Sequence, residues 1–480
     1  MNNQVAIRVA ADLITTSVCL LTAFVVRYIY AIVSENHDES GPYLFDRYVH
    51  LLLISLPQLV ILVLSSFYLF GVYDKSRSYS IYGKLTTVSK AVSLPYFLIP
   101  LIVYIFPNVM FVPKGVVFVA WLLNLLAAVA ARLWSFTWIK IWGSSDSNRE
   151  GRLSEGNIVL LIGGAGYIGS ALVPLLLEQG YKVRMLDLFL YGKEPLGQSL
   201  NDPNLELIQG DFRQVDKVVC AMRGVDSVIH LGGLVGDPAC AVDEQLTIEI
   251  NLVATRVIAE VAKGFGVGRL IFASTCSVYG ASDEVLDERS KLNPVSLYAK
   301  SKIASEKVLF DLQSTKFRPT ILRFGTVFGL SGRTRFDLVV NLLTAKAVFD
   351  KKITLYGGDQ WRPFIHVEDA ARSALVMLKS PIDRVGGEIF NVGGNQLNYT
   401  LQEVGEIIHR LVPGSELFEL GANSDRRNYR VDFSKVGKVV GFSLNWKLED
   451  GVNQVIKAIR DGVISDYNLP AYSNVKVLNQ

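Results

Sequence analysis

The chain has 480 residues, of which 50% are hydrophobic and 19% are charged, and its 48 basic and 45 acidic side chains leave a net charge of +3. This composition excludes an intrinsically disordered or collagen-like chain, and the near balance of charge gives no electrostatic reason to expect a nucleic-acid partner. The mean hydropathy of +0.31 is higher than a wholly soluble protein needs, so we expect part of the chain to lie in lipid.

The first 150 residues contain four apolar stretches, at roughly 9–33, 48–70, 86–106 and 115–139. A helix needs about 20 mostly apolar residues to cross a bilayer, and each stretch is long enough. A soluble helical bundle would show polar faces at helical spacing, which segments such as LLLISLPQLVILVLSSFYLF lack. This part holds only 11 Lys/Arg and 8 Asp/Glu, whereas the rest of the chain holds 37 of each. We therefore predict four transmembrane helices followed by a water-exposed part.

Charged residues inside and between the stretches predict the topology of this region. Arg27 and Arg132 are expected to snorkel at helix ends, and Asp12 is expected to face a neighbouring helix. Basic residues gather in the loop after the second stretch, YDKSRSYSIYGK, and just after the fourth. By the positive-inside rule, the N-terminus, this loop and the large C-terminal part are cytoplasmic. No small-residue cleavage site follows the first stretch, so a cleaved signal peptide is not expected.

The four cysteines are Cys19, Cys220, Cys240 and Cys276, and they form neither a C-x-x-C pair nor a Cys/His group. This distribution predicts reduced thiols and no metal site. Residues 143–156, GSSDSNREGRLSEG, consist of glycine, serine and charged residues. That composition is typical of a flexible linker.

A glycine-rich turn follows the linker, in NIVLLIGGAGYIGSALVPLLLEQG. The apolar run predicts a short strand and the residues after Gly169 a helix, with Gly163 and Gly166 in the turn between them. A second strand follows and ends at Asp187, which places an acid where a dinucleotide-binding fold binds the ribose. The glycines allow a tight turn and close backbone approach to a pyrophosphate at the helix N-terminus. An acid at this position favours NAD, since it would repel a 2′-phosphate.

Strands and helices continue to alternate up to about residue 330, which predicts a doubly wound parallel sheet. After it, shorter strands mixed with helices predict a smaller, partly interleaved lobe. We therefore expect five segments: a four-helix transmembrane region over 1–142, a linker over 143–156, an NAD-binding Rossmann-type domain over 157–330, a substrate-binding lobe over 331–470 and a tail over 471–480.

Tyr298 and Lys302 form a Y-x-x-x-K pair in YAKSK. Residues four apart share one face of a helix, so a lysine ammonium there can lower the pKa of the tyrosine and hold the nicotinamide ribose. A tyrosine poised near neutrality is a suitable general base for oxidising an alcohol by hydride transfer. Thr275, upstream in STCSVYG, can hydrogen-bond the same substrate oxygen. The pattern predicts a catalytic set of Thr275, Tyr298 and Lys302.

These motifs, together with GDFR, IHLGG, LRFGTVFG, RPFIHVEDAA and FNVGG, follow one another in the order of a known family. Residues 157–460 resemble an extended short-chain dehydrogenase/reductase of the NAD-dependent sugar epimerase/dehydratase family. The resemblance implies substrate contacts at Thr326 and Asn341, and contacts from Arg362 and Arg427 to a nucleotide diphosphate, which suits guanidinium groups. It implies NAD contacts at Gly163, Gly166, Tyr167, Ile168, Gly169, Asp187, Asp211, Phe212, Leu231, Gly232, Gly233, Asn251, Tyr298 and Lys302.

The N-terminal region also resembles a family, the membrane-bound polysaccharide-biosynthesis proteins of capsule and O-antigen pathways. Asp12, Arg27, the run FGVYDKSRSY with Gly71, Tyr73 and Arg77, and then VPKGVVFVAWLL and Arg132 carry this resemblance. Related membrane-bound dehydratases have an extra nucleotide-binding-like domain between the helices and the catalytic domain. The 14-residue linker leaves no room for it.

Some positions depart from the family pattern. In its 4,6-dehydratases an Asp and a Glu follow the catalytic Thr, whereas this chain has Cys276 and Ser277, which disfavours 4,6-dehydration. Thr326 replaces a common Asn, and Gly232 and Gly233 replace a usual pair of alanines. An ion pair with Glu368 or Asp369 is the alternative interpretation of Arg362, and a solvated loop charge that of Arg427. We expect His366 to be structural.

The function predicted from the sequence is a membrane-anchored, NAD-dependent nucleotide-sugar epimerase, most simply acting at C4, in surface polysaccharide biosynthesis at a bacterial-type inner membrane. The expected partners are a UDP-sugar or a lipid-linked sugar, membrane lipid, membrane glycosyltransferases and, by analogy with the family, a second copy of the chain. The alternatives are a ketoreductase or dehydratase, an epimerase of a polyprenyl-diphosphate-linked sugar, and a non-catalytic NAD-binding scaffold. No metal is expected.

Overall fold

The computed structural model describes residues 3–34, 41–72, 81–105, 112–142, 156–421 and 428–478. Tyr73, Arg77, Arg427 and all of the predicted linker except Gly156 lie outside these residues. The chain divides into two compact units, Met1–Glu150 and Gly151–Gln480. Each unit is described by itself.

The first unit consists of four long helices: α1 (Asn3–Ser34), α2 (Gly41–Leu69), α3 (Ile81–Ile105) and α4 (Lys114–Trp142). Within the described residues, three of them are long and apolar enough to cross a membrane, over Val9–Val33, Leu44–Leu69 and Leu85–Ile105. The apolar part of α4 is the shorter Gly115–Ala131. The structure therefore supports three of the four predicted spans by length and composition, and the fourth only as a helix.

Polar contacts lie inside the apolar core of this unit. Asn124 of α4 is buried and donates hydrogen bonds to the Tyr96 hydroxyl (3.2 Å) and the Thr16 hydroxyl (3.4 Å). Ser66 of α2 donates to the carbonyl of Ala91 at 2.8 Å. Asp12 is buried, in agreement with its predicted position against a neighbouring helix. Interhelical hydrogen bonds of this kind hold helices together where all surroundings are apolar.

The second unit contains a seven-stranded, wholly parallel sheet with strand order β11-β7-β5-β4-β1-β2-β3. The five residues of β1 are all buried, as expected of a strand covered on both faces. The sheet confirms the predicted doubly wound Rossmann-type architecture. Its strands are β1 (Ile158–Ile162), β2 (Lys182–Asp187), β3 (Leu205–Gln209), β4 (Ser227–His230), β5 (Arg269–Thr275), β7 (Arg318–Phe324) and β11 (Ile389–Val392).

Smaller sheets are built from the remaining strands, with orders β12-β10-β8, β13-β9 and β14-β6. Because β11 belongs to the main sheet, the later part of the chain returns to the Rossmann core. The strands are β6 (Val285–Leu286), β8 (Thr326–Phe328), β9 (Lys352–Tyr356), β10 (Trp361–His366), β12 (Asn398–Thr400), β13 (Glu416–Leu420) and β14 (Arg430–Val431).

Helices pack on both faces of the main sheet and around the smaller sheets. They are α5 (Tyr167–Glu178), α6 (Val215–Met222), α7 (Asp237–Val242), α8 (Glu244–Ile248), α9 (Ala254–Gly264), α10 (Leu297–Asp311), α11 (Val339–Phe349), α12 (Val367–Lys379), α13 (Ile382–Val385), α14 (Leu401–Leu411), α15 (Ser434–Val440), α16 (Leu448–Arg460) and α17 (Asn474–Leu478). A π-helical turn, Glu249–Val253, joins α8 to α9. Such turns are rare and often occur at functional sites.

Candidate active site

The turn between β1 and α5 is tight because glycines occupy its crowded positions. Gly163 has a φ of +77°, and a Cβ there would lie 2.6 Å from the Cα of Gly232. A Cβ on Gly169 would meet the backbone of Gly164. Gly166 has only the Gly163 carbonyl near its Cβ direction, at 3.3 Å, and lies just before the first turn of α5. The turn is therefore a cradle that a side chain would fill, and it fits a pyrophosphate at a helix N-terminus.

Asp187 lies at the end of β2 and contacts this turn directly. Its carboxylate accepts hydrogen bonds from the backbone N–H of Ala165 at 2.9 Å and of Phe189 at 2.8 Å. Burial raises the pKa of Asp187, and these backbone hydrogen bonds oppose the shift. Each carboxylate oxygen has a second lone pair, so the position remains suitable for a ribose hydroxyl.

The structure brings Thr275, Tyr298 and Lys302 together. Thr275 is the last residue of β5, and Tyr298 and Lys302 lie one turn apart on α10, which begins after the N-cap Ser296. All three side chains are buried. The Thr275 hydroxyl donates to Ser277 Oγ at 3.1 Å and lies within hydrogen-bonding reach of the Tyr298 hydroxyl. The group lies at the carboxyl edge of the parallel sheet, where open α/β folds bind ligands.

Tyr298 differs from the sequence expectation in one respect. Burial raises its pKa above the ordinary value, and this outweighs the lowering by Arg335 and by the hydrogen bond with Thr275. The Lys302 ammonium donates to the carbonyl of Ala273 at 2.7 Å. Without further positive charge, the phenol keeps its proton at neutral pH.

The Lys302 ammonium has two contacts with β5. It donates to the Ala273 carbonyl, and its Nζ lies 4.5 Å from the centroid of the Phe272 ring. Burial lowers its pKa to about 8, and the proximity of Cys240 and Glu306 partly offsets the shift. At neutral pH most of the lysine therefore remains cationic.

Asn251, in the π-helical turn, holds the loop that follows β4. Its Oδ1 accepts from the Leu234 N–H at 2.9 Å, and its Nδ2 donates to the Leu234 carbonyl at 3.0 Å and to Ser301 Oγ at 3.1 Å. The amide is thus committed to the loop and to α10. Any effect of Asn251 on a cofactor passes through the position of that loop.

The same loop explains why glycines replace alanines at 232 and 233. Leu231 starts the loop with a hydrogen bond to the Ile162 carbonyl (2.9 Å). A Cβ on Gly232 would lie 2.7 Å from Cε1 of Phe212, and one on Gly233 would lie 2.9 Å from Oδ1 of Asn251. The glycines therefore let the Phe212 ring and the glycine turn approach the loop closely.

Asp211 and Phe212 follow β3 and face different partners. The Asp211 carboxylate forms a bidentate pair with the Arg213 guanidinium, accepting from Nη2 on Oδ2 at 2.6 Å and from Nε on Oδ1 at 3.1 Å. The Phe212 ring meets His230 edge to face, with centroids 5.6 Å apart. Tyr167 and Ile168 begin α5, where the Tyr167 hydroxyl donates to the Gly329 carbonyl at 2.6 Å.

The residues expected to bind substrate differ from one another in burial and in hydrogen-bond partners. Thr326 is half-buried at the start of β8. The Asn341 amide is buried and bonded to Gly329 and to the Arg335 carbonyl, so a substrate contact would have to displace one of these bonds. The Arg362 guanidinium donates to the Trp361 carbonyl and to Gln360 Oε1, at 2.9 and 2.7 Å. Arg427 lies outside the described residues.

Glu368 and Asp369, the alternative partners expected for Arg362, have other partners among the described residues. Glu368 accepts from Trp446 Nε1 at 3.1 Å, and Asp369 pairs with Arg372. His366 is buried, stacks on Trp446 with centroids 3.8 Å apart and contacts Gln454 Oε1 at 3.0 Å, which agrees with a structural role.

Cys276 and Ser277 occupy the positions that follow Thr275. The Cys276 thiol is fully buried, donates to the Arg323 carbonyl at 3.2 Å, and has its pKa raised by burial. Ser277 is half-buried, and its backbone N–H donates to Thr275 Oγ1. Neither side chain is an acid or base near neutrality. Within the described part of the chain, no group of His, Cys, Asp and Glu could hold a metal ion.

A buried polar network, which the sequence analysis missed, connects the elements of this site. Glu306 pairs with Arg323 at 2.7 Å and accepts a short hydrogen bond from Ser274, the neighbour of Thr275. Arg323 also donates to the Tyr279 hydroxyl at 3.0 Å. The spacing 298, 302, 306 places Glu306 on the same face of α10 as Tyr298 and Lys302, and this is the signal that could have found it.

Comparisons with known proteins agree with this geometry. Residues 159–393 match the model of the NAD dependent epimerase/dehydratase family. The chain is 26% identical over 320 residues to the UDP-glucuronate 4-epimerase of Thermodesulfobacterium geofontis, covering 63% of this chain and 96% of that protein. It is 27% identical over 319 residues to UDP-glucuronic acid decarboxylase 4 of Arabidopsis thaliana, covering 64% of this chain and 70% of that protein.

A solved structure is similar over the same portion. UDP-glucuronic acid 4-epimerase from Bacillus cereus, in complex with UDP-glucuronic acid and NAD, has 26% sequence identity and a TM-score of 0.58. The match covers 63% of this chain and 99% of that one. Residues 159–393 are thus similar to NAD-dependent epimerase/dehydratase enzymes, and the similar proteins include both an epimerase and a decarboxylase.

Proposed function

We propose that this chain is a membrane-anchored, NAD-dependent nucleotide-sugar epimerase that acts at C4 of a UDP-sugar. The observation that carries the proposal is the buried group Thr275, Tyr298 and Lys302 beside a glycine turn that fits a dinucleotide pyrophosphate. The relatives named as UDP-glucuronate 4-epimerases support the substrate class. The neutral pair Cys276 and Ser277 supports epimerisation over 4,6-dehydration, since a carboxylate next to Thr275 is absent.

Residues of the second unit fit NAD at three points. The turn from Gly163 to Gly169 takes the pyrophosphate, Asp187 the adenosine ribose, and Lys302 the nicotinamide ribose. NAD held by these residues would accept the hydride from C4 and later return it, and would bring a positive charge to the site. A positive charge there opposes the effect of burial, which otherwise raises the pKa of Tyr298.

The side chains then perform the proton transfers of the reaction. Tyr298, as the phenolate, accepts the proton of the C4 hydroxyl, while Thr275 donates a hydrogen bond to that oxygen. The substrate becomes a 4-keto sugar, which turns its other face before it is reduced. Tyr298 returns the proton to the oxygen in the last step. General acid–base catalysis by one well-placed group contributes about 100- to 10,000-fold to the rate.

The first unit supports membrane anchoring. We propose that all four helices span the membrane and leave the second unit in the cytoplasm, where it modifies a sugar for surface polysaccharide assembly next to membrane glycosyltransferases. The alternative substrate is a polyprenyl-diphosphate-linked sugar, which the membrane helices would bring to the same site.

Purified full-length protein incubated with UDP-hexoses and UDP-hexuronic acids, without added cofactor, tests the proposal. We expect interconversion of one C4 epimer pair, followed by NMR of the sugar ring protons. Release of CO₂ with a UDP-pentose product would instead assign a decarboxylase, and net NADH production an oxidoreductase. Failure to convert any UDP-sugar or lipid-linked sugar would contradict the enzymatic assignment.

A further inference from the structure

The segment from Leu469 to Leu478 contacts loops at the carboxyl edge of the main sheet. It comprises a 3-10 turn, Pro470–Tyr472, and the helix α17. The Tyr472 carbonyl accepts from the Phe336 N–H at 3.0 Å, and the two rings meet edge to face with centroids 5.2 Å apart. The family model ends at residue 393, so this segment lies outside the part that the chain shares with that model.

Asn474, the first residue of α17, joins three loops at this edge. Its Nδ2 donates to the Val235 carbonyl at 3.0 Å, in the loop after β4. Its Oδ1 accepts from the Tyr191 hydroxyl at 3.1 Å, in the loop after β2. Its backbone N–H donates to Asp337 at 3.3 Å, in the segment after β8.

The strand order shows that these contacts lie on either side of β1. In the sheet β1 lies between β4 and β2, so a residue that ties the loops after β4 and β2 passes across the end of β1. The glycine turn follows β1 at this point. A dinucleotide lying on the turn would therefore be spanned by Asn474.

A buried cation lies below the same bridge. The Tyr191 ring covers the guanidinium of Arg333, 3.8 Å from the ring centroid, and the backbone N–H of Arg333 donates to Ser170 Oγ in the first turn of α5. Arg333 is only 4% exposed, and its Nε and Nη2 have no hydrogen-bond partner within the described structure. Two buried, unsatisfied donors beside a helix N-terminus indicate a place for an anion.

We propose that the segment from Leu469 to Leu478 is a strap that retains the bound dinucleotide, with Asn474 as its positioning residue. The proposal rests on the proposed function, because the retained ligand is NAD. An enzyme that reduces its own intermediate has to keep its cofactor between the two hydride transfers. A strap tied to the loops on both sides of β1 slows release without touching the reacting atoms.

Exchange of the bound cofactor measures this role directly. Full-length protein in detergent is mixed with isotopically labelled NAD, and the fraction of labelled cofactor on the protein is followed by mass spectrometry. Asn474→Ala removes both side-chain hydrogen bonds, so we expect roughly tenfold faster exchange and less NAD retained after gel filtration. Lys476→Ala is the matched control, because the Lys476 ammonium donates to the Asn468 carbonyl, just before the segment, rather than to the loops after β2 and β4.

Tyr191→Phe provides a second variant that leaves the ring on Arg333. It removes one hydrogen bond, and we expect roughly threefold faster exchange, with no additional effect in the Asn474→Ala background. If Asn474→Ala does not fold, the rate of NAD exchange in Tyr191→Phe tests the strap. Wild-type exchange rates in the folded variants would overturn the strap and leave the proposed function intact, whereas a wild-type protein that binds no NAD would overturn both.

Discussion

Burial determines the chemistry of Tyr298 more than its neighbours do. The phenol is surrounded by protein, its pKa is raised, and the ammonium of Lys302 is directed to a backbone carbonyl. The residue types and spacing of the catalytic set were predictable from Y-x-x-x-K and STCSVYG. The direction of the pKa shift was not, because it depends on how deeply the fold encloses the hydroxyl.

Replacing Tyr298 by phenylalanine removes only the hydroxyl. We expect Tyr298→Phe to lower kcat about 100- to 10,000-fold, the usual contribution of a general acid–base group, and to leave the NAD content unchanged. Initial rates of epimer formation and the cofactor content of the purified protein are the measurements. Tyr356→Phe, at a tyrosine that is 51% exposed, is the matched control. Wild-type rates of epimer formation in Tyr298→Phe would contradict its role as the acid–base group, and an unchanged cellular phenotype would favour a scaffold that binds NAD without turnover.

Two buried histidines link stability to pH. Burial lowers the pKa of His230 to about 3 and that of His366 to about 4, from an ordinary value of 6.5. Between these values the unfolded chain binds a proton and the folded chain does not, so falling pH favours unfolding. The stability present above pH 6.5 is lost by about 1.4 kcal/mol per pH unit for each histidine as the pH falls toward 4.

The pH effect can be assigned to one of these residues by substitution. We expect the midpoint temperature of thermal unfolding, followed by intrinsic fluorescence, to fall steadily in the wild type as the pH is lowered from 6.5 to 4. His366→Gln should be less stable at pH 7, because it loses the stack on Trp446, but its midpoint should fall less steeply. An equal slope in both proteins would mean that His366 is protonated in the fold.

At the scale of elements, helix α10 organises the site. One face of α10 carries Tyr298, Lys302 and Glu306, and the Glu306 carboxylate connects it to β7 through Arg323 and to β5 through Ser274. This ion pair is buried, with side-chain exposures of 5% and 3%. It therefore links β5, which ends at Thr275, to the helix that carries Tyr298 and Lys302.

Removing one partner of a buried pair leaves the other charge without compensation. We expect Glu306→Gln to destabilise the protein by about 3–5 kcal/mol and to reduce kcat, since Thr275 and Tyr298 lose their common support. Glu260→Gln, which breaks the exposed pair of Glu260 with Arg256 on α9, is the control and should leave both quantities unchanged. Thermal unfolding followed by fluorescence, together with initial rates, would measure both variants. Equal effects of the two substitutions would contradict a special role for the buried pair.

Local patterns explain which elements were predictable. The glycine turn, Asp187 and the alternation of strands with helices depend on neighbours in sequence, and the structure places them as expected. The network of Ser274, Glu306, Arg323 and Tyr279 joins residues up to 49 positions apart in the sequence. Asn474 and Tyr191, which share a hydrogen bond, are 283 positions apart. Hydrogen bonds of this kind follow from tertiary packing and leave no periodic signal.

At the scale of the whole molecule, the two units differ in the side chains that they expose. In the first unit large apolar side chains are exposed, among them Val33 (81%), Phe97 (71%) and Tyr104 (85%). In water, such exposure would cost about 25 cal/mol per Å² of apolar surface. Lipid removes that cost, and three helices are long enough to span a bilayer. The second unit is charge-rich and has its own cores, as expected of a domain in water.

The number of spans decides the side of the membrane on which the second unit lies. If the N-terminus is cytoplasmic, four spans return the chain to the cytoplasm, whereas three leave the catalytic unit outside. Cys220 is exposed in the second unit, and Cys19, Cys240 and Cys276 are buried, so Cys220 is a natural reporter. We expect a membrane-impermeant maleimide to label the protein only after cells are permeabilised, and Cys220→Ser to abolish the labelling. Labelling of intact cells would indicate that α4 does not cross the membrane and would separate the enzyme from a cytoplasmic UDP-sugar.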